Sequence, residues 1–264
     1  MNIMFNHFQH KMALCYNLLY GGQVKHYPKF LTEEFSIALY NELKGTDVTL
    51  EKTTIYDKQN NPHSIENISL TSPFGVKWNQ IVTDSYDKWV VWPRFTSSMS
   101  SEVITSDELW MKDGSKKWTP LMKIVKDHIE STFDVKIPYC QMNYYRNMSD
   151  HINFHGDNEM GDDDYVFSLS LGTTRNFCFR RKFDDLGKLI TSGPFELTIP
   201  LENGSLCVFD SLAGKINYKH AIPKGLIRDG HSKECISNPN VSCDGGLPWC
   251  GCSRINITFR TANY

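Results

Sequence analysis

Two periodicities divide the chain. Between His26 and Lys44, behind Pro28 and a Thr32 cap candidate, apolar Phe35, Leu39 and Leu43 recur at the spacing of an amphipathic helix. A second helix is expected over Pro120–Thr132, with Leu121, Ile124, Val125, His128 and Ile129 on or near one face. Residues 45–118 between them read as irregular: turn residues, short strand-like runs and a Ser-rich patch at Ser97–Ser101. After Ile137 the period becomes two. Strands are predicted at Tyr139–Arg146, Tyr165–Leu171, Asn176–Arg181, Phe195–Pro200, Ser205–Asp210, Lys215–Ala221 and Arg254–Thr261. Short strands parted by Gly, Asp and Asn turns argue for a mainly β (α+β) chain. Its core is expected to be a distorted jelly roll with the two helices packed on it.

Composition narrows this further. The 264 residues carry a net charge of −2, with 40% hydrophobic and 22% charged positions, so the chain can bury a real core. No apolar run approaches the ~20 residues of a spanning helix. The apolar stretch Met12–Tyr20 is broken by Asn17 and lacks a strongly basic flank, which makes a poor secretory signal. Glycan sequons occur at Asn67, Asn147, Asn203, Asn240 and Asn256, but Asn256 falls in the candidate site described next, where a glycan has no room. An intracellular protein, nuclear or cytoplasmic, is therefore expected, with no membrane partner. It is expected to be a monomer. A near-neutral balance excludes a global nucleic-acid signature and leaves room only for a local basic patch.

The candidate chemistry begins at His155-Gly156-Asp157. Ligands at i and i+2 on extended backbone point to one side, and Gly156 would allow close approach to a metal. His220 can supply a third ligand. Two histidines and a carboxylate on one face of a metal leave positions open, which suits non-haem Fe(II). Alone, such a triplet is more often a surface turn. The strand Arg254–Arg260 changes the balance. Arg254, Asn256, Thr258 and Arg260 share one face, and Ile255, Ile257 and Phe259 the other. Two arginines on a strand face are commonly solvated. They can also grip a dicarboxylate from both ends, because a guanidinium binds carboxylate as a fork.

These pieces together resemble the AlkB family of nucleic-acid dealkylating dioxygenases, and most of all its eukaryotic members that repair alkylated DNA. The matching segments, in order, are Pro93-Arg94, Asn143-Tyr144-Tyr145, His155-Gly156-Asp157, Ser168–Gly172, Gly204-Ser205-Leu206, His220 and Arg254–Arg260. The resemblance implies a double-stranded β-helix core, with Fe(II) on His155, Asp157 and His220. It implies 2-oxoglutarate held by Arg254 and Arg260, with Asn143, Tyr145 and Asn256 adding hydrogen bonds, and O₂ as the other cosubstrate. It also implies oxidative N-demethylation of bases such as 1-methyladenine or 3-methylcytosine in DNA or RNA. Residues 26–264 are then one AlkB-like domain. Residues 26–137 would be a helical and substrate-lid part, 138–264 the jelly roll, and 226–252 a Cys-rich insertion. Residues 1–25 are expected to be a loosely ordered N-terminal segment.

Substrate contacts are expected from Arg94, Asn158 and Glu159 and from the basic cluster Arg175, Arg180, Arg181 with Lys182. Glu159 is equally readable as one more member of an acidic loop, and basic loops are often merely solvated. The family's Tyr-rich base-stacking segment has no counterpart in Phe95–Asp107, so Trp92, Phe95 or Trp110 would have to substitute. That departure keeps a second reading in play, a 2-oxoglutarate dioxygenase hydroxylating a protein or small metabolite. His231, Cys235, Cys243, Cys250 and Cys252 could bind a structural zinc or be free in a loop. Cys140, Cys178 and Cys207 read as small core residues.

Overall fold

The computed structural model describes residues 12–56, 62–85, 88–101, 117–225 and 253–261. Among the described residues fourteen strands form two sheets. The central strands of the larger sheet are β7 (Tyr139–Tyr145), β9 (Tyr165–Gly172), β12 (Ser205–Asp210) and β14 (Arg254–Arg260). The facing sheet contains β8 (Ile152–His155), β10 (Arg175–Arg181), β11 (Leu197–Leu201) and β13 (Tyr218–Ile222), in the order β11-β10-β13-β8. The expected jelly roll is present, with its strands within a residue or two of the predicted bounds for most elements. The exceptions have local causes. Lys215–Ala221 is not one strand: Leu212–Ile216 forms a π-helical turn and β13 starts only at Tyr218. The short β8, which carries His155, alternates apolar and polar over only four residues, too short a run to reveal a strand in the sequence.

β14 lies between β7 and β9 and is buried along its whole length. Ile255, Ile257 and Phe259 join the core with Phe167, Leu169, Leu171 and Met142. Helix α1 (Glu33–Leu43) contributes Phe35, Leu39 and Leu43 to it, and α2 (Pro120–Phe133) contributes Met122, Val125 and Ile129. The opposite, polar face of β14 turns inward between the sheets. There it stands beside a second apolar cluster that includes Phe177, Phe179, Ile199, Phe209 and Ile222. Cys140, Cys178 and Cys207 are buried free thiols.

Both helices begin as the sequence indicates. Thr32 Oγ1 accepts from Phe35 N at 3.3 Å, and Pro120 opens α2. The N-terminus of α2 is not capped by its own Thr119, however. The Glu42 carboxylate from α1 reaches across and accepts from Leu121 N at 3.2 Å and from the Thr119 hydroxyl. A buried carboxylate at a helix N-terminus satisfies orphan donors and meets the positive end of the dipole.

Two expectations are corrected. Residues 45–118 are not an irregular stretch of a helical part. Their described portion forms four long antiparallel strands, β3 (Asp47–Tyr56), β4 (Pro62–Thr71), β5 (Lys77–Ser85) and β6 (Lys88–Ser100), which extend the larger sheet from β7. Their Thr- and Ser-rich sequence favours extended backbone with little apolar alternation, so ladder hydrogen bonds rather than a core pattern define them. Within the segment expected to be loosely ordered, β1 (Leu14–Asn17) and β2 (Gln23–Tyr27) form a hairpin whose β2 pairs with β12. Trp78 ties β5 to the helices: its ring is fully buried and its Nε1 donates to Leu43 O at 2.7 Å.

Glu42→Ala should lower unfolding stability by about 1–2 kcal/mol, the size of a lost helix cap, because Leu121 N and Thr119 lose their acceptor. Urea denaturation of the two proteins measures this. An unchanged midpoint would show that the carboxylate is not a working cap.

Candidate active site

His155 ends β8 and is in register with His220 on β13, so the two rings meet, with centroids 4.4 Å apart and planes inclined at 62°. Asp157 follows in the turn. Its N donates to Gly214 O of the π-helical turn at 3.0 Å. Its Oδ1 lies 3.8 Å from His155 Nε2 and 3.7 Å from His220 Nε2. One ligating atom from each of the three falls within 4.8 Å of the others, close enough to share one ion. The role of Gly156 differs from expectation. A Cβ there would come within 3.4 Å of Gly214 O, so the close approach is to the backbone of the π-helical turn.

Protonation favours the ligand role. His155 Nδ1 lies 2.9 Å from Asn153 O. A carbonyl only accepts, so Nδ1 carries the hydrogen and Nε2 offers its lone pair to the cavity. Burial lowers the pKa of both histidines, that of His220 to about 4, and keeps the rings neutral. Burial alone would raise the Asp157 carboxyl, but the charge and hydrogen bond of the Arg260 guanidinium outweigh it and hold the group ionised below its usual range. Two neutral imidazoles and one carboxylate suit a divalent cation without prior proton loss. The donor set therefore fits Fe(II).

The same cavity, of about 430 Å³, runs from this triad to Arg254. Arg254 is completely buried, and burial pulls its pKa down to about 10. Its Nη2 donates to Ser170 Oγ at 2.9 Å and its guanidinium lies 5.3 Å from the Tyr145 ring centre. Its Nε and Nη1 have no hydrogen-bond partner. Orphaned donors on a buried cation mark a place for an anion. Around it the strands align their polar residues: Arg254 opposite Tyr145, Asn256 opposite Asn143 and Ser170, Thr258 opposite Gln141 and Ser168. Asn256 Nδ2 donates to Ser168 Oγ at 2.8 Å, and Asn143 Oδ1 accepts from Arg94 Nε at 2.8 Å. Arg260 sits at the metal end. Its Nη2 donates to Asp157 Oδ1 at 3.2 Å and its Nη1 meets the Glu159 carboxylate.

The expected substrate residues separate. Arg94 and Glu159 line the cavity, while Asn158 is exposed just past the triad. Arg175 is withdrawn from the basic cluster. It is buried and donates to Asn147 O, Asp150 O and Pro223 O at 3.3, 3.0 and 2.6 Å, bracing the loops beside β8 and β13. Arg181 is neutralised by Asp185 at 2.7 Å and Glu196 at 3.8 Å. Arg180 points to the opposite face of β10, stacked 4.0 Å from the Phe154 ring centre, and its register partner is Lys219. Phe95 is a core residue under Arg146 and is unavailable for stacking. The Trp92 side chain, Trp110, and His231 with Cys235, Cys243, Cys250 and Cys252 lie outside the described residues. Sequence reasoning missed Gln141, one alternate position from Asn143, and gave no site role to Ser168 and Thr258 although both fall in the matching segments; all three line the cavity. It also missed Phe177 and Phe209, whose rings lie 5.3 Å from that of His220, and no local pattern distinguishes them from other core aromatics.

Comparison with known proteins agrees with this geometry. The model of the 2OG-Fe(II) oxygenase superfamily matches residues 23–260. The chain is 25% identical over 229 residues to the alpha-ketoglutarate-dependent dioxygenase alkB homolog 3 of Bos taurus, covering 80% of this chain and 72% of that protein. To the Homo sapiens protein of the same name it is 27% identical over 188 residues, 70% of this chain and 57% of that one. To the human DNA oxidative demethylase ALKBH2 it is 26% identical over 140 residues, 52% of this chain and 53% of that one. The chain thus spans little more than half of either human relative.

His155→Ala and Asp157→Ala should each lose Mn(II) binding and all 2-oxoglutarate turnover while keeping the wild-type circular dichroism spectrum, because these residues line the cavity and do not build the core. Retained metal binding in both variants would remove them from the ligand set.

Proposed function

Because the chain belongs to the 2OG-Fe(II) oxygenase superfamily, we propose that it removes N-methyl groups oxidatively from alkylated bases in nucleic acid. It is an AlkB-like Fe(II)- and 2-oxoglutarate-dependent dioxygenase. When bound, iron, 2-oxoglutarate and O₂ supply oxidative decarboxylation to succinate and CO₂, coupled to hydroxylation of a substrate C–H. On the N-methyl group of a cationic base the hydroxymethyl product sheds formaldehyde and a proton and restores the unsubstituted ring nitrogen.

The chain's own residues carry the rest of the assignment. His155, Asp157 and His220 hold the metal. Arg254 anchors one carboxylate of the cosubstrate through its unpartnered N–H groups, and Arg260 stands at the metal end. Their Cα atoms lie about 20 Å apart along β14, a span filled by two inward-leaning side chains with a five-carbon dicarboxylate between them. Asn143, Tyr145 and Asn256 line the wall between the two. Phe177 and Phe209 keep water from the far side of His220.

One observation carries the substrate reading: Glu159 places a carboxylate in the cavity, beside the metal triad and partly open to solvent. 1-Methyladenine and 3-methylcytosine are cations at neutral pH, so a carboxylate in a partly dry site favours them over the unmodified bases. The bases must leave the stack or lie in a single strand to reach it. Arg180 and Lys219, side by side on the outer face of the facing sheet, are assigned to the phosphate backbone. Arg175 and Arg181 are engaged elsewhere.

Mass spectrometry of methylated DNA and RNA oligonucleotides, incubated with Fe(II), ascorbate and 2-oxoglutarate, should show loss of about 14 Da per lesion, the mass of one methylene, with formaldehyde release. Succinate formation without loss of any methyl group would give the substrate role to a protein or small metabolite. Replacing Arg180 and Lys219 together by Ala should reduce the log–log salt slope of single-strand binding by about 1.4, roughly 0.7 per phosphate contact. An unchanged slope would place the backbone elsewhere.

A further inference from the structure

The two arginines of β14 share a face but not a condition. Each leaves its Nε and Nη1 without a hydrogen-bond partner, but among the described residues no carboxylate forms an ion pair with Arg254. The Arg260 guanidinium already has two carboxylates on it, Asp157 on Nη2 and Glu159 on Nη1, and Gln141 Oε1 lies 3.4 Å from Nη2. A dicarboxylate laid from Arg254 toward the metal therefore meets a second arginine whose charge is taken. Of the two carboxylates, Asp157 is fixed: it is buried, its N is bonded to Gly214 O, and it belongs to the metal triad. Glu159 is free to leave. Its side chain is 23% exposed, it follows exposed Asn158, and it has no other ion-pair or hydrogen-bond partner among the described residues.

We propose that Glu159 is a switching carboxylate. It occupies Arg260 until the second carboxylate of the cosubstrate takes that place, and once released it faces the cationic base. The driving force is competition for one donor. Arg260 Nη1 accommodates one carboxylate at a time, and of the two now on the guanidinium only Glu159 is able to leave. The displaced Glu159 then brings an unpaired negative charge to the cavity mouth, where a methylated base has a positive one. Cosubstrate binding and base binding become coupled, and by linkage each strengthens the other by the same factor. The competition for Arg260 stands on the contacts of this chain. Only the identity of the second ligand rests on the demethylase reading.

The test is calorimetric titration of 2-oxoglutarate into the full chain loaded with Mn(II). Glu159→Gln and Glu159→Ala should each bind the cosubstrate about tenfold more tightly than wild type, the worth of one charge-assisted contact no longer competed away. Unchanged or weaker binding in both variants overturns the switch. In a second arm, affinity for a 3-methylcytosine oligonucleotide is measured with and without cosubstrate. It should rise with cosubstrate in wild type and not in the variants. An equal rise in all three proteins overturns the coupling. If wild type binds no methylated oligonucleotide while both variants still hold the cosubstrate more tightly, the demethylase reading fails and the competition for Arg260 stands.

Discussion

A guanidinium loses most of its hydration energy when it is enclosed by protein, and β14 encloses two of them between apolar layers. The rest of the site is arranged around that cost. Ser170 and the Tyr145 ring meet Arg254, while Asp157, Glu159 and Gln141 meet Arg260. The unmatched donors of Arg254 then make sense as a fold held short of full satisfaction. A chain selected for stability alone would fill this position with an apolar side chain. One that binds a dicarboxylate keeps the cation and lets the ligand complete it.

The same arrangement explains why the metal triad sits where it does. Register between β8 and β13 brings His155 to His220, and the π-helical turn before β13 fixes the backbone of Asp157. Arg260 then joins Asp157 to the polar row of β14. Metal, cosubstrate and the Glu159 carboxylate become neighbours through side chains from both sheets. Arg175, buried beneath these loops, contributes by holding Asn147, Asp150 and Pro223 together, a structural role far from the phosphate contact its charge suggested.

Strand alternation makes most of this site legible in the sequence. On β14 a single pattern separates Ile255, Ile257 and Phe259 from Arg254, Asn256, Thr258 and Arg260, and both faces are buried. The same rule puts the adjacent Arg180 and Arg181 on opposite faces of β10, so the two cannot form one basic patch. Other features have no local signature. The strands from Asp47 to Ser100 are poor in the alternation that marks a buried face, so they read as irregular. The Glu42 cap on α2 joins residues far apart in the chain, and the burial of Arg175 depends on three loops that only the folded protein assembles.

If Arg254 is a cation kept for a ligand, its replacement should separate stability from binding. Thermal unfolding of wild type and Arg254→Met, each with Mn(II) and with or without 2-oxoglutarate, tests this directly. Without cosubstrate, Arg254→Met should melt at or above the wild-type temperature, since a buried ion is exchanged for an apolar side chain of similar length. The rise in melting temperature on adding 2-oxoglutarate, present in wild type, should disappear in the variant. A variant that is less stable on its own, yet stabilised by the cosubstrate as much as wild type, would contradict this role for Arg254.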